Sequence, residues 1–176
     1  KLLEDGKLFL SPTDTIWGIL CDATNAYAVD KVYQLKKRSD SKAMICMVSD
    51  LEMLKQYVPK LPVSIKKYIY CDRPTTVILS NPIAIASNAI AKEKTVAIRI
   101  VNHHFCTPLI SAFGKPLISS SANLSGRGHP KKYADISEEI ISGVDYIIKQ
   151  DIDKVNDQAS RIIKLEKTGK TILIRA

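Results

Sequence analysis

The chain has 176 residues, 45% of them hydrophobic and 25% charged, which is the composition of a globular domain and excludes a disordered tail or a fibrous repeat. Lys and Arg outnumber Asp and Glu by 26 to 18, and the resulting net charge of +8 favours polyanionic partners without choosing among nucleic acid, nucleotide and anionic lipid. No apolar run approaches the roughly 20 residues of a membrane-spanning helix, so no membrane role is expected and the expected compartment is the cytoplasm. The first residues lack both Met and the apolar stretch of a signal peptide, so further residues are expected before Lys1.

Short β-like runs alternate with helical ones along the chain. Residues 8–10 and 16–20 read as strands flanking the turn Ser11-Pro12-Thr13-Asp14. Over 26–37, Val29, Val32 and Tyr33 share one helical face, while Lys31, Gln34 and Lys37 take the other. Residues 44–48 form a buried-strand pattern, and Ser49 with Glu52 predicts a capping box opening a helix through Tyr57. Pro59 and Pro62 interrupt the chain before a helical stretch over 64–70. Strands over 75–79 and 95–101 come next, then a helix over 105–113 ended by Gly114. A short strand over 117–120 runs into the hydroxyl- and glycine-rich segment 119–128. Asp135 with Glu138 predicts the cap of a helix ended by Gly143, and strands over 146–149, 161–165 and 171–174 close the chain. The polar stretch 150–158 is the expected loose loop. Interleaved strands and helices predict one α/β domain with a twisted mixed sheet and helices packed on it.

Cys21, Cys46, Cys71 and Cys106 show no metal-ligand or redox spacing, so buried reduced thiols are expected. His103, His104 and Cys106 are not expected to form a metal site, because adjacent histidines diverge on any regular element. Thr168-Gly169-Lys170-Thr171 imitates the end of a phosphate loop, but Lys164 stands where the first glycine is needed, and a β-turn is expected instead.

Three segments carry the chemistry. Lys36-Lys37-Arg38 and Lys42 concentrate cations at a helix end, where they either complement the helix dipole or clamp phosphate. Ser119-Ser120-Ser121-Ala122-Asn123-Leu124-Ser125-Gly126 places hydroxyls and an amide just after a buried strand, an arrangement suited to phosphate oxygens, ribose or a hydrated metal. Arg99, inside the apolar run Val96-Ala97-Ile98-Arg99-Ile100, either faces solvent or needs a buried partner such as a carboxylate.

In this order and spacing, these segments resemble the YrdC family, the threonylcarbamoyl-AMP synthases of tRNA modification. The resemblance spans nearly the whole chain, from Ser11-Pro12-Thr13-Asp14-Thr15-Ile16-Trp17-Gly18 through Lys36/Arg38 and Thr76-Val77-Ile78-Leu79 to Ser121/Asn123. It implies one YrdC-like domain over 1–176 with a concave basic cavity, and no extra C-terminal domain. The implied reaction joins L-threonine, bicarbonate or CO2, and ATP into threonylcarbamoyl-adenylate and pyrophosphate, with Mg2+ accompanying the ATP. A transferase complex then uses the product on tRNA beside the anticodon. The resemblance further implies that Lys36, Arg38, Ser121 and Asn123 are the catalytic signature. It implies that Arg38, Lys42, Thr95, Ser121 and Arg175 hold ATP, and that Thr15, Arg99 and Ser119 hold threonine, with no dedicated metal ligand. Three positions depart from the family pattern: Ser39 replaces a usual proline, His129 a frequent serine, and Arg161 a small hydroxyl residue. The alternative reading is a tRNA- or double-stranded-RNA-binding module without catalysis. An aromatic content of 6% offers little for base stacking but leaves backbone contact open.

Overall fold

The alternating patterns condense into one sheet with helices packed on it. The computed structural model describes residues 1–38, 44–166 and 168–176. Its first half runs β1 (Phe9–Ser11), β2 (Gly18–Asp22), α1 (Ala26–Leu35), β3 (Ile45–Val48), α2 (Leu51–Tyr57), α3 (Lys66–Ile69) and β4 (Thr75–Ser80). The second half runs β5 (Thr95–Ile100), α4 (Cys106–Phe113), β6 (Leu117–Ser121), α5 (Glu138–Gly143), β7 (Tyr146–Ile147), β8 (Arg161–Leu165) and β9 (Thr171–Arg175). The strands lie in the order β7-β1-β2-β6-β3-β5-β4-β8-β9. Parallel pairs β1/β7, β3/β5 and β4/β8 occur among antiparallel ones, so the sheet is mixed, as expected.

Local chemistry explains the helices. Asn25 caps α1 by accepting from Ala28 N–H at 3.2 Å, and the buried stripe Ala28, Val29, Val32 and Tyr33 packs the helix inward. Gly114 ends α4 with φ 73°, a left-handed turn that side chains rarely adopt. Two expected caps move by one or two residues. Asp50, not Ser49, caps α2 by accepting from Met53 N–H at 2.8 Å, with Ser49 Oγ donating to the Asp50 carboxylate. Ser137, not Asp135, precedes α5; Asp135 instead closes the 3-10 turn Tyr133–Asp135 by accepting from Lys131 and Lys132 N–H. The helix α1 stops at Leu35, and β2 starts two residues later than expected, leaving Ile16 and Trp17 in the connection. Cys21, Cys46 and Cys106 are buried free thiols, whereas Cys71 is half-buried. Glu166 N–H donates to Lys170 O at 3.0 Å and closes the β8–β9 turn, so the phosphate-loop imitation is a hairpin.

Asp145 ties three segments together. Its carboxylate accepts from Leu8 N–H at 2.8 Å and from Lys7 and Lys31 Nζ at 3.1 Å each, joining the start of β1, α1 and the approach to β7. Partial burial pushes its carboxyl up, but the Leu8 N–H and both ammonium groups outweigh that and hold it down at about 2. An unfolded Asp titrates at about 3.9, so this group stabilises the fold fully above that pH and loses the effect as pH falls toward 2. Urea midpoints measured from pH 5 to 2 should therefore fall more steeply for the parent than for Asp145→Asn. Parallel curves would show that the hub contributes nothing.

Candidate active site

One sheet face is hollow, lined by small residues such as Gly18, Ala97, Ser119 and Ser121 together with isoleucines. In the register, Ser119 of β6, Ile45 of β3, Ala97 of β5 and Ile78 of β4 lie in one row, and Gly18 of β2 faces Ser121. These residues line a cavity of about 480 Å³, large enough for a cofactor-sized ligand. Along β5, Thr95, Ala97 and Arg99 face the cavity while Val96 and Ile98 enter the core. A Cβ on Gly18 would lie 2.9 Å from Ser119 Oγ, so only glycine leaves that hydroxyl where it stands. Among the described residues, Arg38, Arg99 and Arg175 line the cavity against one carboxylate, Glu93, and so make it basic, as expected.

Arg99 is buried rather than solvated, with 3% exposure. Its Nη2 donates to Asp14 Oδ1 at 3.0 Å and to Thr15 Oγ1 at 3.4 Å, while Nη1 donates to Thr76 Oγ1 at 3.4 Å. The anionic partner that a buried guanidinium needs is thus already built into the protein, in the turn before β2. Thr15 is fixed from the other side by Thr13 Oγ1 at 3.0 Å. Asp14 was in the quoted motif but had no expected role; the turn's only carboxylate was the available signal.

Seven expected site residues line the cavity: Thr15, Arg38, Thr95, Arg99, Ser119, Ser121 and Arg175. Lys36 and Asn123, expected in the catalytic signature, do not line it. Lys36 is 2% exposed and points the other way. Its Nζ donates to the carbonyls of Ser121 and Asn123, the latter at 2.6 Å, and sits within 3.5 Å of both side-chain oxygens. Asn123 Nδ2 in turn donates to Leu124 O and Arg127 O, folding the loop on itself. Lys36 and Asn123 therefore brace the loop after β6. Lys42 and Ser39 lie outside the described residues. Arg175 donates through Nε and Nη2 to Ser160 O at 3.0 and 2.8 Å, which brings Ser160 and Ala159 into the cavity wall. Ser160 was missed as a site residue because it ends a loop without regular pattern. His129 and Arg161, the departures from the family pattern, lie away from the cavity: His129 Nε2 meets Asp157 O, and Arg161 Nη2 donates to Thr75 Oγ1 at 3.0 Å.

The two histidines converge, contrary to expectation. Their ring centroids lie 4.4 Å apart, and each Nε2 is 3.6 Å from Asp151 Oδ2, because the backbone after β5 is irregular. Cys106 is not part of the cluster; its Sγ donates to Pro12 O. His103 Nδ1 accepts from Phe105 and Cys106 N–H, and burial pushes the ring below the ordinary imidazole range. A neutral ring with Nδ1 accepting carries its proton on Nε2, aimed at Asp151, which leaves no lone pair there for a metal.

The fold is thus a mixed α/β sheet with a basic, hydroxyl-walled hollow on one face. The chain belongs to the Sua5/YciO/YrdC family, whose model, described as telomere recombination, matches residues 1–176. A putative threonylcarbamoyl-AMP synthase of Methanocaldococcus jannaschii is 35% identical over 179 residues, covering 99% of this chain and 82% of the relative. A threonylcarbamoyl-AMP synthase of Vibrio vulnificus is 28% identical over 152 residues, covering 84% of this chain and 82% of the relative. The fold matches P. abyssi Sua5, solved in complex with L-threonine, with a TM-score of 0.84 at 23% identity. That match covers 99% of this chain and 51% of the Sua5 chain, so the present chain spans about half of that protein.

Burial, with Arg38 adding to it, lowers the Lys36 ammonium to about 8. Because the folded value lies below the unfolded one, folding stability from this group rises between pH 8 and roughly 10.4. The grip on the Ser121 and Asn123 carbonyls weakens over the same range. Pyrophosphate affinity, measured by calorimetry, should fall as pH rises through 8 while the denaturation midpoint does not follow it. The same pH dependence in Lys36→Met would remove Lys36 from the account.

Proposed function

We propose that this chain forms threonylcarbamoyl-adenylate and pyrophosphate from L-threonine, bicarbonate and ATP. The observation that carries the reading is the geometry of the cavity: a buried guanidinium at one end, two further arginines and a hydroxyl row along the rest. The names of the curated relatives point to the same reaction. The amine of threonine and bicarbonate condense to a carbamate with loss of water. A carbamate oxygen then attacks the α-phosphorus of ATP, and the bond to the pyrophosphate oxygen breaks.

Such a displacement depends mostly on positioning and on neutralising phosphate charge. Arg38, Arg175, Thr95 and Ser121 hold the nucleotide in this reading; the assignment of Lys42 to ATP rests on the family resemblance alone. Arg99 takes the threonine carboxylate on its fork, flanked by the hydroxyls of Thr15 and Ser119. Asp14 engages Arg99 only through Nη2, while Arg99 lines the cavity, and a guanidinium has five N–H donors to share between a built-in carboxylate and a bound one. Mg2+ arrives with ATP as part of the substrate. A lining with hydroxyls and, among the described residues, the single carboxylate Glu93 suits a hydrated cation held chiefly by phosphate oxygens. The product then passes to a separate transferase that acts on tRNA next to the anticodon, in the cytoplasm, where ATP, threonine and tRNA meet.

Pyrophosphate and an AMP-linked product should appear only when threonine and bicarbonate are supplied together with ATP. Equal pyrophosphate release without threonine would refute the reading. Arg99→Lys keeps the charge and loses the fork, so it should raise the threonine concentration needed for half-maximal rate by about tenfold, or about 1.4 kcal/mol. ATP affinity without threonine should stay at the parent value; an equal loss for both substrates would separate Arg99 from amino-acid recognition.

A further inference from the structure

A buried polar chain connects the two arginines that the proposed function assigns to different substrates. Arg99 Nη1 donates to Thr76 Oγ1 at 3.4 Å, Thr76 Oγ1 lies 2.8 Å from Ser160 Oγ, and Arg175 Nη2 donates to Ser160 Oγ at 3.2 Å. Thr76 is fully buried and Ser160 is 2% exposed. The sheet brings them together: Thr76 lies in β4, paired in parallel with β8, and Ser160 is the residue before β8 begins.

Each hydroxyl has one proton and two acceptor sites. Both oxygens already accept from a guanidinium, so the bond between them uses one hydroxyl proton and leaves the other to find an acceptor. When Thr76 donates to Ser160, the remaining proton belongs to Ser160, which lines the cavity. An anion against Ser160 then completes a one-way series of donors, from Arg99 to Thr76 to Ser160 to the ligand. Hydrogen bonds aligned in one direction polarise and strengthen one another in a low-dielectric interior. The reverse arrangement leaves the Thr76 proton without an acceptor among the described residues and withdraws the Ser160 proton from the cavity. A ligand at the Ser160 end therefore selects the arrangement that holds Arg99 most firmly, and Arg99 itself lines the cavity.

We propose that Thr76 and Ser160 are positioning residues that couple the two subsites. A phosphate-bearing ligand at the Arg175 end raises the affinity for an amino-acid carboxylate at Arg99, and by linkage the amino acid raises nucleotide affinity by the same factor. This inference rests on the substrate assignment of the proposed function.

Calorimetric titration of the whole chain with threonine, in the presence and absence of a non-hydrolysable ATP analogue, tests it. The parent should bind threonine about fivefold or more tightly when the analogue is present, within the usual range of coupling. Thr76→Val removes the hydroxyl and keeps the branched shape, and should bring that ratio to within about twofold of unity while affinity for the analogue alone stays at the parent value. Thr76→Ser, which restores the hydroxyl, should restore the ratio, a rescue that a purely structural role would not give. Should Thr76→Val not fold, Ser160→Ala replaces it, and loss of the ratio there supports the relay. A ratio unchanged from the parent in whichever of these two variants is measured overturns it. A parent that binds both ligands independently overturns the relay alone, whereas a parent that binds neither overturns the substrate assignment and the relay together.

Discussion

The site depends on one buried charge and its built-in counter-charge. Arg99 sits near the end of a strand, flanked by Ile98 of the core, and an unpaired guanidinium there would cost more than the fold could sustain. Asp14, itself nearly buried, holds it at 3.0 Å from across the sheet. The pairing explains why the turn before β2 is rigid and polar: Thr13, Asp14 and Thr15 are locked to one another and to Arg99. Replacing the pair by apolar groups would cost little in stability but would take away the reason for the cavity.

Much of the architecture was legible in the chain because period and punctuation agree. The 3.6-residue stripe of α1, the β-branched runs of β4 and β5, and Gly114 at the end of α4 each specify their element locally. The caps of α2 and α5 were displaced because neighbouring residues compete for the same N–H groups. Ser49 lost to Asp50, whose carboxylate reaches Met53 directly, and Asp135 was captured by a tighter turn. Nothing local distinguishes those outcomes.

The site was legible in part. The family resemblance grouped Thr95 with Arg99 and Ser119 with Ser121, and strand alternation explains why the structure puts both pairs on one face. Lys36 could not be placed, because a lysine after a helix reads equally as an outward phosphate contact or an inward staple. Only the loop beyond β6, brought against the end of α1 by the sheet order, decides between them. Asp14 and Ser160 escaped for a related reason: their partners lie 85 and 84 residues away, at Arg99 and Thr76. The convergence of His103 and His104 came from irregular backbone, where rules drawn from regular elements do not apply.

The grip of Lys36 also has a mechanical meaning. Its ammonium holds the carbonyls of Ser121 and Asn123, and its own carbonyl accepts from Ser125 N–H at 2.9 Å. The end of α1 and the loop after β6 are thereby welded at both ends of one residue. The loop has no hinge of its own at that point: any breathing that widens the hollow must carry the tail of the helix with it as a single lever, and Arg38, two residues further on, travels on that lever.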